Sequence, residues 1–486
     1  MKRAHILTGF LITIAQHAHA FCGFYVAKAD ATLFNDKSEV ILVRDGLRTI
    51  ITMSNDFKGN VRDFAMVVPV PVILQESDIR VVDRNIFQKL DGYSSPRLVE
   101  YWDQNPCMRW EYANEDASST KAVRALASGT FDAKAEREKD YGVTIEAQYT
   151  VGEYDILLLS AKESMGLKDW LIANGYKIPA TANEVLDPYI KSNLKFFVVK
   201  VDLDQPQTKS DYLRPIQISF THEKFMLPIR LGMANSQGQQ DMIVYAFTRT
   251  GRVECVNYRT VKVPTDRNIP LFAQEKFGPM YKDLFARAWK REGRNAVFLE
   301  YAWNVTPNWG GMKCDPCVGP PPVDRELVDA GVDWIGGANG ANGNSVFFTR
   351  LHVRYGRDKF PQDLMFQVTP NTEQFQVRYI LTHPAQGDLT CSDGQDYLEE
   401  LYYRRVREMD ELYALTGWDL STHRDYMNEV RGKLSPERRN AMDLLPMPGG
   451  DGGGPGNGWK LFMVGSALLA GLGYALRTTA TTVGAV

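Results

Sequence analysis

Cys314-Asp315-Pro316-Cys317 is the spacing in this chain best suited to chemistry. A C-x-P-C run acts as a redox dithiol when a helix N-terminus stabilises the thiolate of its first cysteine. The flanks here do not provide that helix. Trp309-Gly310-Gly311 precedes as a loop, and Val318-Gly319-Pro320-Pro321-Pro322 follows as a stretch that cannot begin a helix. A structural disulfide, local or longer-range, is therefore expected, with thiol–disulfide exchange as the alternative. Metal binding would need two more ligands, and His383 and Cys391 are the nearest candidates in sequence order. One C-x-x-C with a loose His and Cys lacks the two close ligand pairs of a zinc site, so no metal and no cofactor are expected.

The other candidates are weaker. All six cysteines, Cys22, Cys107, Cys255, Cys314, Cys317 and Cys391, lie beyond the first 20 residues and are disulfide candidates, with the pairing open. A lipid on Cys22 is disfavoured by Phe21, where a small residue is needed. His222, His352, His383 and His423 sit in no nucleophile motif, and neither G-x-S-x-G, H-E-x-x-H nor a Walker loop occurs in the body. They read as ordinary surface or hydrogen-bonded histidines. Asp333, Asn339, Asn342 and Asn344 offer oxygens among glycines, but without the D-x-D-x-D-G run or closing Glu of a calcium loop. Tyr402-Tyr403-Arg404-Arg405 and Trp102, Trp110, Trp303, Trp309, Trp334 and Trp418 could line a sugar or peptide face, though such aromatics are more often core.

The elements that must position these groups lie between two apolar ends. Met1 to Ala20 reads as a signal peptide: Lys2 and Arg3, then Ile6 to Ala15, then Ala18-His19-Ala20 as the cleavage pattern. Leu461 to Leu476 is uncharged and would span about 24 Å as a helix, short of the ~30 Å hydrocarbon core. Trp459, Lys460, Tyr474 and Arg477 suit the two interfaces. Between body and tail, Pro446 to Gly458 is a flexible Gly/Pro tether. The formal charge of −3, from 56 basic and 59 acidic residues, argues against nucleic acid as a partner.

Inside the body the β signal dominates. Ser38–Arg44 and Arg48–Ser54 flank Asp45-Gly46 as a hairpin, and Val143–Ser160 turns near Gly152. Phe64–Leu74 should be an edge strand or end at Pro69 and Pro71. Asp83–Lys139 reads as mostly helical, and Lys162–Asn174 and Ala182–Ser192 as short helices. Further strands are expected at 195–202, 216–220, 225–231, 242–248 and 252–263, the last two joined by a Thr250-Gly251 hairpin. Pro279–Glu292 is an amphipathic helix. Strands at 297–304, 346–355, 364–369 and 375–381 precede a helix at Gln395–Leu415 and another from Ser435-Pro436-Glu437.

Taken together, Phe21-Cys22-Gly23-Phe24-Tyr25-Val26-Ala27, Phe64-Ala65-Met66-Val67-Val68-Pro69-Val70-Pro71, Phe225-Met226-Leu227-Pro228-Ile229-Arg230-Leu231-Gly232, Cys314-Asp315-Pro316-Cys317 and Thr349-Arg350-Leu351-His352-Val353-Arg354-Tyr355 resemble one family. It is the group of exported bacterial proteins called domain of unknown function 2330. The resemblance implies a bacterial origin and an envelope location, and no activity.

The expected architecture is α+β. It has a strand-rich ectodomain of mixed and antiparallel sheets with flanking helices, plus one C-terminal transmembrane helix. The divisions are 1–20 signal, 21–204 and 205–445 the two halves of the ectodomain, 446–458 linker, 459–477 membrane helix and 478–486 tail. The expected role is an exported, membrane-anchored, periplasm-facing envelope protein that binds an envelope protein or glycan partner, or scaffolds, without catalysis. The alternatives are a thiol–disulfide oxidoreductase using Cys314 and Cys317, and a carbohydrate- or peptide-binding module.

Overall fold

The computed structural model describes residues 24–27, 38–54, 63–108, 141–174, 182–202, 214–234, 238–307, 310–317, 319–335 and 345–443. Its strands are β1 Phe24–Ala27, β2 Ser38–Asp45, β3 Arg48–Ser54, β4 Asp63–Val70, β5 Ile79–Val81, β6 Arg97–Trp102, β7 Val143–Val151, β8 Tyr154–Ala161, β9 Lys195–Asp202 and β10 Ile216–Thr221. They continue as β11 Met226–Leu227, β12 Gln240–Thr248, β13 Val253–Cys255, β14 Arg259–Lys262, β15 Arg267–Asn268, β16 Ala296–Asn304, β17 Phe347–Tyr355, β18 Leu364–Val368, β19 Phe375–Gln376 and β20 Arg378–His383. The helices are α1 Asn85–Ser94, α2 Ser164–Ala173, α3 Ala182–Lys191, α4 Phe277–Arg291, α5 Asp324–Asp329, α6 Ser392–Thr416, α7 Asp425–Lys433 and α8 Pro436–Asp443. This is a mixed α+β protein, as the sequence patterning predicts.

Two sheets pack face to face. One runs β1-β4-β9-β8-β7, all antiparallel. The other has nine strands along β14-β16-β17-β12-β2-β3-β10-β5, with β19 added on β16. It draws strands from both sides of residue 204. Val68, Leu158 and Phe197 from the first sheet meet Leu42, Val244 and Leu351 from the second in one apolar cluster. The outer face of the smaller sheet is covered by Leu167 and Trp170 of α2 with Leu186 and Tyr189 of α3. Across the other outer face, Ile86, Phe87 and Leu90 of α1 and Leu327 of α5 cover Ile41, Ile243 and Phe247. The result is four layers, helix–sheet–sheet–helix. Strand β12 lies near the middle and is an apolar run because both its faces are covered.

Local chemistry explains several elements. The β2–β3 hairpin closes at Gly46, whose φ of +56° suits a tight two-residue turn. Helix α6 ends at Gly417 with φ +76°, the left-handed C-terminal stop. In α4, Met280, Leu284, Phe285, Ala288 and Trp289 form the buried stripe that the 3.6-residue period predicts.

Three local expectations are corrected. Thr250-Gly251 does not close a hairpin: β12 pairs with β17 and β2, whereas β13 leaves to pair with β18. Gly251 is required instead by close approach, because a Cβ there would strike the Thr369 and Asn371 carbonyl oxygens. Within the stretch read as helical, α1 stops at Ser94 and Arg97–Trp102 is a parallel strand beside β20. Val99, Tyr101 and Trp102 favour that extended form. Finally, β4 is interior, between β1 and β9, but it ends at Val70 as its prolines require. Because β1 reaches only Val67, it does not pair with Pro69.

Among the described residues no helix is long and apolar enough to cross a membrane. The signal region 1–20, the tether 446–458 and the apolar tail 459–477 lie outside them.

Because Phe197 is fully buried between the two sheets, Phe197→Ala is expected to lower the unfolding free energy by about 3–5 kcal/mol. The exposed Val256→Ala should stay within about 0.5 kcal/mol. Urea unfolding followed by far-UV circular dichroism checks both.

Candidate functional site

Among the described residues a dense polar arrangement lies inside the protein, on the helix-covered face of the nine-stranded sheet. In β17, Phe348, Arg350, His352 and Arg354 alternate with Leu351, Val353 and Tyr355, so the polar side chains share one face. Opposite them, β16 carries a bulge. Leu299 pairs with Leu351 and Tyr301 with Arg350, so Glu300 is the extra residue. A bulge re-aims a side chain, and here it accompanies a carboxylate that is only 1% exposed and lies between Arg350 and His352.

Glu300 and Arg350 are buried and His352 nearly so, while Asp91 and Asp241 at the ends stay partly exposed. Arg350 Nε donates to Glu300 Oε2 at 2.6 Å, and its Nη1 donates to Asp91 Oδ1 at 2.8 Å and Ser94 Oγ at 3.3 Å on α1. Tyr281 of α4 donates to Glu300 Oε1 at 2.5 Å. The single hydroxyl proton of Tyr245 of β12 is shared between Glu39 Oε1 at 2.9 Å and Asp91 Oδ1 at 3.1 Å. Arg354 forks onto Asp241, both contacts at 2.9 Å. His352 stacks on Phe285 at 3.7 Å between centroids, with Nδ1 2.8 Å from Glu300 Oε1 and Nε2 3.1 Å from Asp241 Oδ1. Ionised carboxylates can only accept, so filling both contacts puts a proton on each nitrogen and makes the ring an imidazolium.

The proton equilibria agree with that geometry. Burial alone would raise Glu300, but the charges of Arg350 and His352 overcome it and hold the carboxyl at about 2. Burial would likewise raise Asp241, yet His352 and Arg354 bring it well below its ordinary 3.8. Burial opposes the charge on His352, and Glu300 and Asp241 outweigh it and raise its pKa above 6.5. Such a cluster can hold charge in a low-dielectric interior and fix strand register, with both ring nitrogens of His352 already engaged.

From the end of this cluster the chain rises to the Cys314–Cys317 loop. These two cysteines are bonded to each other. Cys314 is 1% exposed, whereas Cys317 faces solvent. The loop's carbonyls are held from below. Tyr93 and Tyr301 both donate to Lys313 O at 2.8 Å, and Trp303 Nε1 to Met312 O at 2.6 Å. Arg97 Nη1 donates to Pro316 O at 2.9 Å. Arg378 grips Asp315 at 2.7 Å. Helix α5, the next in the chain, opens only at Asp324, so neither cysteine stands at its N-terminus.

A second surface feature forms where β6 pairs with β20. Trp102 is 67% exposed, yet its ring lies flat against His383, 4.9 Å between centroids and 5° between planes. His383 Nε2 is 2.7 Å from Glu100 Oε2, and Gln274 donates to Glu100 Oε1 at 2.9 Å. Beyond the strand, Asp103 accepts from Tyr397 at 2.6 Å and Arg404 at 2.5 Å, and Asn105 donates to Gln386 O and Asp388 O. The Cys107–Cys391 disulfide then locks this corner across 284 residues of sequence. Gly394 fits against it because a Cβ there would come within 2.7 Å of Cys107 Sγ.

A family model described as "Uncharacterized protein conserved in bacteria (DUF2330)" matches residues 16–367. The chain belongs to this family. No curated protein and no solved structure matches it. In this DUF2330 protein, β20 and α6 to α8 lie beyond the matched stretch, so the Trp102–His383 corner joins a matched strand to a segment outside the match.

The sequence candidates fall out as follows. The metal set of Cys314, Cys317, His383 and Cys391 does not come together. Cys314 and Cys317 bond each other, Cys391 bonds Cys107, and His383 stacks on Trp102. Among the described residues no group of three or more His, Cys, Asp or Glu is placed to hold a metal ion. Cys255 is buried without a sulfur partner, and burial pushes its thiol up. Cys22, Trp110, Trp309, Asn339, Asn342 and Asn344 lie outside the described residues, and Asp333 pairs with Arg48.

Trp303 and Trp334 are core, Trp418 donates to Asp283 at 2.8 Å, and Tyr402 and Arg405 are buried on α6. His423 lies against Phe272, and the ring of His222 accepts from Lys224 N. His352 is hydrogen-bonded, one of the two forms expected of the histidines, but its partners Glu300 and Asp241 are not named by the sequence pattern. Arg-x-His-x-Arg alternating with apolar residues in a strand flanked by core signals was the available clue.

The sign of the pH dependence follows from these shifts. His352 contributes stability that is full below 6.5 and lost as pH rises through its raised folded value. Glu300 contributes stability that is full above 4.5 and lost as pH falls toward about 2. The unfolding free energy should therefore crest between these limits, with the alkaline limb flattened in His352→Gln. Glu300→Ala, which leaves Arg350 and His352 buried and charged, should cost about 3–5 kcal/mol. Denaturant titrations across pH measure both effects.

Proposed function

We propose that this is an exported, membrane-tethered protein of the bacterial envelope that binds a partner and does not transform it. The observation carrying this reading is the Trp102 ledge, a large apolar ring kept in solvent and fixed from behind by His383. Exposed rigid aromatics are characteristic anchors of recognition, because they present apolar area with little left to immobilise. Export is supported by the signal pattern of Met1 to Ala20 and by disulfides, which persist in oxidising compartments. The tether is supported by the Gly/Pro run and the apolar tail, a linker length that would allow the body to sit roughly 20 Å from a bilayer.

A second reading, thiol–disulfide exchange, has one observation in its favour. The Cys317 sulfur is exposed beside a buried Cys314, and the buried Arg97 beneath donates to the Tyr93, Ser95 and Pro316 carbonyls. The missing helix and the apolar packing around Cys314 weigh against it, since neither stabilises a thiolate.

A benzophenone amino acid at position 102 in living cells should give a discrete photo-adduct, and the same group at the exposed Met165 should not. No adduct at 102 removes the binding reading. Asp at both Leu468 and Leu469 should cost about 2.5–3.5 kcal/mol each in the bilayer and release the protein from membranes. Release of the unaltered protein by carbonate would remove the tether. Turnover of a protein disulfide by the purified body, lost in Cys314→Ala, would instead favour exchange.

A further inference from the structure

We infer that the Trp102 ledge is a binding site for a neutral glycan. This rests on the binding reading above and names its ligand class. The indole has one face on His383 and the other open. The ring is braced in turn by the His383–Glu100 pair and the Gln274–Glu100 hydrogen bond, so little side-chain freedom is left to lose when a ligand arrives. Strand β6 is the edge of the β15-β20-β6 sheet, so the ledge stands at a rim that a long polymer can cross.

The groups around the ring select the chemistry. Glu100 has each carboxylate oxygen engaged once, and each retains a lone pair for another donor. Gln274 uses its amide N–H on Glu100, which leaves its carbonyl oxygen as an acceptor. A flat apolar surface rimmed by acceptors complements a sugar ring, whose faces carry C–H groups and whose edge carries hydroxyl donors.

A carboxylate rim repels phosphorylated or acidic ligands, which makes the glycan a neutral one. An aromatic peptide side chain would cover the indole but strand the acceptors, at the usual cost of unpaired polar groups. A quaternary ammonium is best held by a cage of several rings, and here a single indole face is open.

The test uses the full chain in detergent on an array of neutral hexose and N-acetylhexosamine oligosaccharides, followed by calorimetric titration of the strongest hit. Binding should weaken about tenfold in Trp102→Ala, the scale of one aromatic stacking contact. Glu100→Gln should weaken it by less, and Met165→Ala should leave it unchanged. Trp102 is largely solvent-exposed, so its variant should keep the melting temperature of the parent, which separates lost binding from lost folding. No array signal, or a signal equal in Trp102→Ala, overturns the glycan site. If position 102 still gives an adduct in cells and that adduct is a protein, the binding reading stands and the glycan assignment falls.

Discussion

A protonated His352 held between Glu300 and Asp241 is the constraint on which the central sheet depends. Its two contacts join β16, β17 and β12, and Arg350 and Tyr245 extend the same network to α1 and β2. Buried charges contribute little net stability, because desolvation consumes most of the Coulomb gain. What they supply here is intolerance of alternatives. A one-residue slip of β17 would turn Arg350 and His352 toward the other sheet, among Leu158 and Phe197, with no carboxylate to meet them. The bulge at Glu300 has the same logic, since a regular ladder would leave that residue paired in register rather than set apart beside the cations.

The network also explains why the surface features are stiff. Helix α1 is held to the sheet by Asp91 and Ser94, and it carries Tyr93, which grips the Cys314–Cys317 loop. The next element, β6, begins at Arg97 under that loop and ends at Trp102 on the rim. One continuous stretch of chain thus runs from the charge cluster, past a disulfide-closed loop, to the aromatic ledge. The Cys107–Cys391 bond fastens the far end to α6. Closing a loop of that length removes much unfolded-chain entropy, on the order of 5–6 kcal/mol in the chain-entropy account.

Local signals were legible in the sequence and long-range ones were not. Gly46 and Gly152 mark turns by backbone geometry alone, and the α4 stripe follows from its own period. Thr250-Gly251 misled because a glycine needed for close approach looks the same as one needed for a turn. Trp102 lay in a stretch whose flanking polar residues read as helix, and only its partner β20, far along the chain, makes it a strand. Cys314 and Cys317 could be named as disulfide candidates, but choosing their partners requires the fold. Glu300 left no signature, because a bulge is a property of two strands in register. Family membership was legible from five short runs, one of which, Thr349 to Tyr355, holds the cations of the buried network.

The ring of His352 offers the most direct measurement. With ¹⁵N-labelled histidine, both ring nitrogens of His352 should show imidazolium shifts at pH 7, each with an attached proton that exchanges slowly, and Glu300→Gln should shift the ring toward the neutral form. A neutral His352 at pH 7, with one nitrogen bare, would contradict the charge network and with it the reason given for the register of the sheet.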